Sequence, residues 1–281
     1  MGRITEALRK VSDERVEKIK KRPAPAYVAK RLDGAAIEEH VVTFHDPMSP
    51  ISEQYNMLRT NIQQLKKSKR HKTFIITSSR DGEGKTVTST NLAIAMARDS
   101  DNGSVLLVDA DMRRGKAAEY LGIAASPGLA ELLSGKADLG DVIITPGVAD
   151  LEVVVSGKTP KNPSELLNSK KMKDVMAAFK SRYDYIIIDT PPVMSVADAC
   201  ILGPMADGVI LVVQAGRTQR DMVKNSEKKV KQAGGEIAGF VMTKTEYHLP
   251  GYLSRYMQQY DSYYAYHEYK RNGTNHKESA A

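Results

Sequence analysis

Cysteine is nearly missing from this chain. Cys200 is the single one among 281 residues, which excludes an internal disulfide and suits a reducing compartment. Long apolar runs are missing too. None approaches the roughly 18 to 20 residues needed to cross a bilayer. The opening Met-Gly-Arg-Ile-Thr-Glu has no secretory leader, and Glu6 stands where an N-myristoylation signal requires Ser or Thr. These absences predict a soluble, cytoplasmic protein.

Acidic residues are in deficit. Lys and Arg number 41 against 34 Asp and Glu, a net charge of +7. Much of the excess lies near the start, where Arg3, Arg9, Lys10, Arg15, Lys18, Lys20, Lys21 and Arg22 cover a predicted helix over 3–21. Such a helix suits an anionic membrane surface, an activator's cytoplasmic segment, or packing on its own domain. A second basic cluster runs from Lys66 to Lys72. Charge runs are more often solvated faces than nucleic-acid sites, so nucleic acid is not an expected partner.

What is present most clearly is a loop, Thr73-Phe-Ile-Ile-Thr-Ser-Ser-Arg-Asp-Gly-Glu-Gly-Lys-Thr86. An apolar, β-branched strand breaks at two serines, passes through two glycines, and ends in Lys85-Thr86 at a helix start. Small residues let successive backbone N–H groups converge on one anion at a helix N-terminus. In such a loop Lys85 reaches the β- and γ-phosphates and Thr86 ligates Mg²⁺. The pattern G-x-x-x-x-G-K-[ST] is incomplete, because Ser79 replaces its first glycine. An ordinary strand-turn-helix with a surface lysine is the rival reading.

Two further apolar strands end in acids: Val105-Leu-Leu-Val-Asp-Ala-Asp-Met-Arg113 and Tyr185-Ile-Ile-Ile-Asp-Thr-Pro-Pro192. Runs of this kind fit central strands of a parallel sheet covered on both faces. Ligands bind at the carboxyl ends of such strands, where Asp109, Asp111 and Asp189 fall. Each alone could be a helix-capping aspartate. Three together beside a phosphate loop favour a Mg²⁺ site.

Further elements alternate. Ser52 is expected to cap a helix through about Leu65. Strand 73–77, helix 85–98 and strand 104–108 follow, then helices 116–121 and 128–134, strand 151–155, helix 164–182 and strand 185–189. Helix 195–204, strand 208–213, helix 218–233 and strand 236–242 complete a doubly wound, mainly parallel α/β sheet. The expected organisation is a basic helix and linker over 1–45, a nucleotide-binding domain over 46–246, and a tail over 247–281. Eight of the 13 tyrosines lie beyond Glu246, with almost no Leu, Ile or Val to bury. A tail displaying phenols is the preferred reading over a short amphipathic helix.

Together these segments resemble the bacterial tyrosine kinases of capsule and exopolysaccharide synthesis. That family is a branch of the deviant Walker P-loop ATPases related to the cell-division and plasmid-partition ATPases. The resemblance rests on Ser78–Thr86, on Asp109-x-Asp111-x-Arg113, on Ile187-Ile-Asp-Thr-Pro-Pro192, on Asn162-Pro-Ser-Glu-Leu-Leu167 and on the tyrosine-rich tail. It implies transfer of the ATP γ-phosphoryl group to tail tyrosines in trans. Lys85, Asp109, Asp111 and Arg113 form the implied catalytic set, with Asp109 nominated as base and Asp111 as the other candidate; Arg113 either clamps phosphate or an adjoining subunit or forms a structural ion pair. Nucleotide contacts fall to Asp81, Gly82, Glu83, Gly84, Lys85, Thr86 and Val87, and Mg²⁺ to Thr86, Asp111 and Asp189. The implied acceptors are Tyr252, Tyr256, Tyr260, Tyr263, Tyr264, Tyr266 and Tyr269. The implied partners are a separate membrane-embedded chain-length or activator protein, further copies of the chain, and a tyrosine phosphatase. The implied location is the inner face of the cell membrane.

The chain departs from the family in three places. Asp81 replaces a loop proline, and Asn56 replaces an arginine of the oligomerisation pattern Glu53-x-x-Asn56-x-x-Arg59, which weakens the expected assembly. Thr243 stands near where related ATPases place an asparagine, leaving base recognition open. The rival function is an ATP-driven spatial switch that acts at a surface without phosphorylating protein.

Overall fold

Three uninterrupted apolar runs build the centre of the molecule because each can be buried on both faces. The computed structural model describes residues 30–31, 36–99 and 103–245. The expected helix over 3–21 and the tyrosine-rich segment from 247 onward lie outside the described residues. In order come β1 (Lys30–Arg31), α1 (Val42–His45), α2 (Pro50–Lys69), β2 (Thr73–Ser78), α3 (Lys85–Ala97) and β3 (Val105–Asp109). Then follow α4 (Ala117–Tyr120), α5 (Leu129–Leu133), α6 (Leu139–Val142), β4 (Ile143–Thr145), β5 (Leu151–Val154), α7 (Pro163–Leu167) and α8 (Lys170–Arg182). β6 (Tyr185–Asp189), α9 (Asp198–Leu202), a 3₁₀ turn (Gly203–Met205), β7 (Gly208–Gln214), α10 (Arg220–Gln232) and β8 (Ile237–Thr243) complete the order.

The sheet runs β1-β4-β5-β3-β6-β2-β7-β8. Every neighbouring pair is parallel except β4 with β5. All positions of β2, β3 and β6 are buried. Their side chains alternate between two layers. Ile75, Leu106, Val108, Ile186 and Ile188 pack towards α5 through α10, against Leu129, Met172, Phe179 and Val230. Phe74, Ile76, Leu107 and Ile187 pack the other way, against Ile62 of α2 and Leu92, Ile94 and Met96 of α3. Each such fully buried aliphatic side chain contributes about 1.5–3 kcal/mol. α3 lies between the sheet and α2, so it is buried nearly all round and reads as small and apolar instead of amphipathic.

Register sets the site. Asp109 at the end of β3 pairs directly with Asp189 of β6, and Asp189 pairs with Ile76 of β2 two residues before the loop begins. The two acids and the loop are therefore neighbours by backbone alone.

Several boundaries differ from expectation. Ser49, not Ser52, caps α2: its hydroxyl accepts from Ser52 N at 3.1 Å, and Pro50 takes the first helical position, where its missing N–H costs nothing. The basic cluster from Lys66 to Lys69 forms the last turn of this helix, where cations complement the helix dipole. The expected helix 164–182 is two helices, because Ser169 caps α8 by accepting from Met172 N at 3.1 Å. The expected helix 195–204 shortens to α9 and the 3₁₀ turn. β4, too short to register as a pattern, is an additional strand.

Candidate functional site

The loop's glycines have a conformational reason. Gly82 and Gly84 adopt φ of 82° and 92°, the left-handed region that side chains resist. Gly84 caps α3, and Lys85 and Thr86 open it. Among the described residues, none accepts a hydrogen bond from the amides of Gly82, Glu83, Gly84, Lys85 or Thr86. These donors and the helix dipole are arranged for an anion. Asp81 points outward, with its carboxylate 3.6 Å from the Arg114 guanidinium, and Val87 is half-buried in the first turn of α3. Glu83 is fully buried and its carboxylate turns beneath the loop.

Behind the loop lies an acid cluster with one cation. Lys85 Nζ sits 3.0 Å from Asp111 Oδ2 and 3.9 Å from Asp189 Oδ2. Thr86 Oγ1 donates to Asp189 Oδ2 at 2.6 Å. Burial works against the Lys85 ammonium, but Asp189, Asp111 and Asp109 outweigh it and hold its pKa above the ordinary value. Burial pushes the Asp189 carboxyl up. Burial and the facing Asp189 push Asp109 up as well. Asp109 is fully buried, and its two oxygens accept from Asp111 N at 3.0 Å and Ala117 N at 3.1 Å. Gly115 closes over it: a Cβ there would meet Asp109 Oδ2 at 2.7 Å. Asp109 therefore braces the turn after β3. Of the two carboxylates nominated as base, Asp111 is the one in contact with Lys85.

Arg113 stands outside this cluster. Its Nε lies 3.4 Å from Asp198 Oδ2, and its terminal nitrogen donates to Ser164 Oγ at 2.9 Å. Ser164 in turn donates to Asp198 Oδ1 at 2.6 Å. Asp198 escaped the sequence reading because its partners lie 34 and 85 residues away. Ser164 belongs to the Asn162-Pro-Ser-Glu segment already singled out, and that was the available signal. Thr218, Ser226 and Thr243, all bonded to the loop, had none beyond the position of Thr243. Asn56 donates to Glu53 Oε2 at 3.0 Å, and Arg59 donates to Ala95 O at 3.2 Å.

The donors beside Thr86 fit a divalent cation. Asp189 Oδ1 is buried with no hydrogen-bond partner, a costly condition that a cation or its water shell relieves. Thr86 and Asp189 offer the hard oxygens Mg²⁺ prefers. Among the described residues no group of three or more His, Cys, Asp or Glu side chains forms a self-sufficient metal cage. Two protein oxygens, with phosphates supplying others, fit the way Mg²⁺ is held in nucleotide sites.

Comparison with known proteins agrees with this geometry. Residues 71–234 match the family model described as AAA domain. Tyrosine-protein kinase CpsD of Streptococcus agalactiae is 42% identical over 193 residues, covering 68% of this chain and 82% of that protein. Tyrosine-protein kinase YwqD of Bacillus subtilis is 34% identical over 232 residues, covering 80% and 97%. The kinase domain of Escherichia coli tyrosine kinase ETK superposes with a TM-score of 0.69 at 28% identity, covering 83% of this chain and 90% of that one. A sheet of this order, a loop of unpartnered amides with its lysine among aspartates, and matches of this extent place the chain in one group: it belongs to the bacterial tyrosine-protein kinases.

Proposed function

We propose that the chain transfers the γ-phosphoryl group of ATP to tyrosine hydroxyls of its own C-terminal segment, in trans between copies. The observation that carries the reading is the Lys85–Asp111 contact at 3.0 Å beside a loop of unpartnered amides. The amides from Gly82 to Thr86 and the Lys85 ammonium hold phosphate oxygens. Thr86 and Asp189, with Asp111 beside them, hold Mg²⁺, which when bound supplies charge neutralisation for the phosphoryl oxygens. Such transfer is mostly positioning and electrostatics.

A tyrosine hydroxyl has a reference pKa of about 10. Asp111 accepts its proton as the new O–P bond forms and the bond to the ADP oxygen breaks. Arg113 is held by Asp198 and Ser164, outside the Lys85 cluster. The acceptors are drawn from Tyr252, Tyr256, Tyr260, Tyr263, Tyr264, Tyr266 and Tyr269. A tail of some twenty residues spans at most about 70 Å, enough to enter a neighbouring copy's site, and tethering raises its effective concentration.

Among the described residues no helix is long and apolar enough to cross a membrane. The reading places the chain at the inner face of the cell membrane beside a membrane-embedded chain-length protein. There a tyrosine phosphatase resets it and its cycle controls capsule or exopolysaccharide synthesis. The test is phosphotyrosine mass analysis of the full chain and of a truncation after Thr245, each incubated with ATP and Mg²⁺. The full chain gains several phosphates and the truncation loses most of them while still hydrolysing ATP. ATP hydrolysis without any phosphotyrosine in the full chain would favour the spatial-switch ATPase instead.

A further inference from the structure

A carboxylate inside a phosphate-binding loop is an electrostatic oddity, since it brings negative charge within two residues of the lysine meant for a triphosphate. The structure resolves it by direction. Glu83 is fully buried, and its Oε2 accepts from Ser79 N at 2.8 Å and Arg80 N at 3.1 Å. Its Oε1 accepts from the Thr218 hydroxyl, in the turn between β7 and α10. Among the described residues no lysine or arginine forms an ion pair with it, so hydrogen-bond donors alone hold its carboxyl group.

Two further side chains converge on the same loop. Ser226 of α10 donates to Ser79 Oγ at 2.9 Å. Thr243, at the end of β8, donates to the Glu83 carbonyl at 2.7 Å.

We propose that Glu83 is a positioning residue, an internal anion that occupies the first amides of the loop and holds the later ones in phosphate-receiving shape before nucleotide arrives. The proposal rests on the nucleotide-binding reading above and deepens it. The loop's amides divide into two sets. Those of Ser79 and Arg80 are taken by Glu83, while those from Gly82 to Thr86 remain unpartnered. Ser79 is fully buried, so without the carboxylate its amide would have neither water nor partner, and the loop would relax to find one. Holding the shape in advance removes an ordering cost from binding. Thr218 is the far anchor of the carboxylate, which ties the loop to the β7–α10 turn.

Shape, not charge, is the required property, and this gives the test its discrimination. A glutamine can offer one oxygen to both amides and its NH₂ group to the Thr218 oxygen, reproducing the brace without the negative charge. Alanine cannot. The measurements are binding of a nonhydrolysable ATP analogue by the full chain, and KM for ATP and kcat for phosphotyrosine formation.

Glu83→Ala is expected to raise the analogue's Kd and the KM about tenfold, the scale of an orphaned buried donor, with kcat changed less than about threefold. Glu83→Gln should stay within about threefold of the parent in both. Thr218→Val should raise KM about threefold and add nothing on top of Glu83→Ala, as partners in one network do. Unchanged analogue binding in Glu83→Ala, or Glu83→Gln as impaired as Glu83→Ala, overturns the proposal. Should Glu83→Ala fail to fold, Thr218→Val decides, and an unchanged KM there overturns it equally. Failure of the parent chain to bind the analogue would instead sink the nucleotide-site reading, and this proposal with it.

Discussion

Two polar clusters at the same end of the sheet are built on opposite plans. Around Arg113, one cation, one hydroxyl and one carboxylate close on each other, and Asp198 has both oxygens engaged. Around Lys85, Asp111 and Asp189 share one ammonium with Asp109 close behind, and Asp189 keeps a buried oxygen with no partner. The first cluster is complete as it stands. The second is complete only with something cationic and something anionic added. A protein tolerates such an imbalance where function requires it, so the contrast separates a brace from a site.

The sharpest break of that contrast is Lys85→Met. Removing the single cation should lower phosphotyrosine formation by about 10²-fold or more, the scale of losing one charge-stabilising donor. Far-ultraviolet circular dichroism should remain that of the parent. A Lys85→Met protein that gains phosphotyrosine at the parental rate would show that the cluster is not the site.

Asp189→Asn probes the same imbalance from the acidic side. Asparagine can keep the Thr86 hydrogen bond while removing a buried charge. The ligand-free protein's Tm should not fall, while stabilisation by Mg²⁺ with an ATP analogue should vanish. A fallen Tm with retained stabilisation by Mg²⁺ and nucleotide would mark Asp189 as structural, of the Arg113 kind.

Titration gives a third and smaller effect, confined to the open cluster. Burial raises the folded-state pKa of both Asp189, to about 6, and Asp109, to about 8, so the folded protein holds the protons of this pair more tightly than the unfolded chain. The pair's contribution to stability is full below the unfolded value and is lost as pH rises through about 6 to 8. Cation binding needs the deprotonated form and so runs the other way. The gain in Tm from Mg²⁺ and nucleotide should grow between pH 5.5 and 7.5, while the ligand-free Tm declines. Differential scanning calorimetry across that range checks both slopes, and a Mg²⁺-dependent gain that is flat with pH would remove Asp189 from the metal site.

The open cluster was far more legible in sequence than the closed one. Lys85, Thr86, Asp109, Asp111 and Asp189 sit at the ends of apolar runs, and strand register alone brings them together, so short local patterns sufficed. The sheet followed for the same reason. β4 is too short for any period to show, and the break at Ser169 is a cap inside an otherwise helical stretch. The bracing bonds of Asp109 had no signal either, because a strand-end aspartate reads the same whether it faces a substrate or, as here, two backbone amides. The inward turn of Glu83, and its meeting with Thr218 and Thr243, depend on contacts across more than 130 residues, which no local spacing encodes.

The closed cluster supplies the mildest test. Ser164→Ala removes one hydroxyl that both accepts from Arg113 and donates to Asp198. The Arg113–Asp198 contact at 3.4 Å survives it, so no buried charge is left alone. The expected cost is about 1–3 kcal/mol of stability, because two hydrogen bonds go and the buried Asp198 Oδ1 loses its donor, with phosphotyrosine formation changed less than about threefold. Urea unfolding measures the first and initial rates the second. A large loss of rate at unchanged stability would reverse the distinction between the clusters, because Ser164 and the guanidinium it holds would then act on the reacting groups and not on the fold.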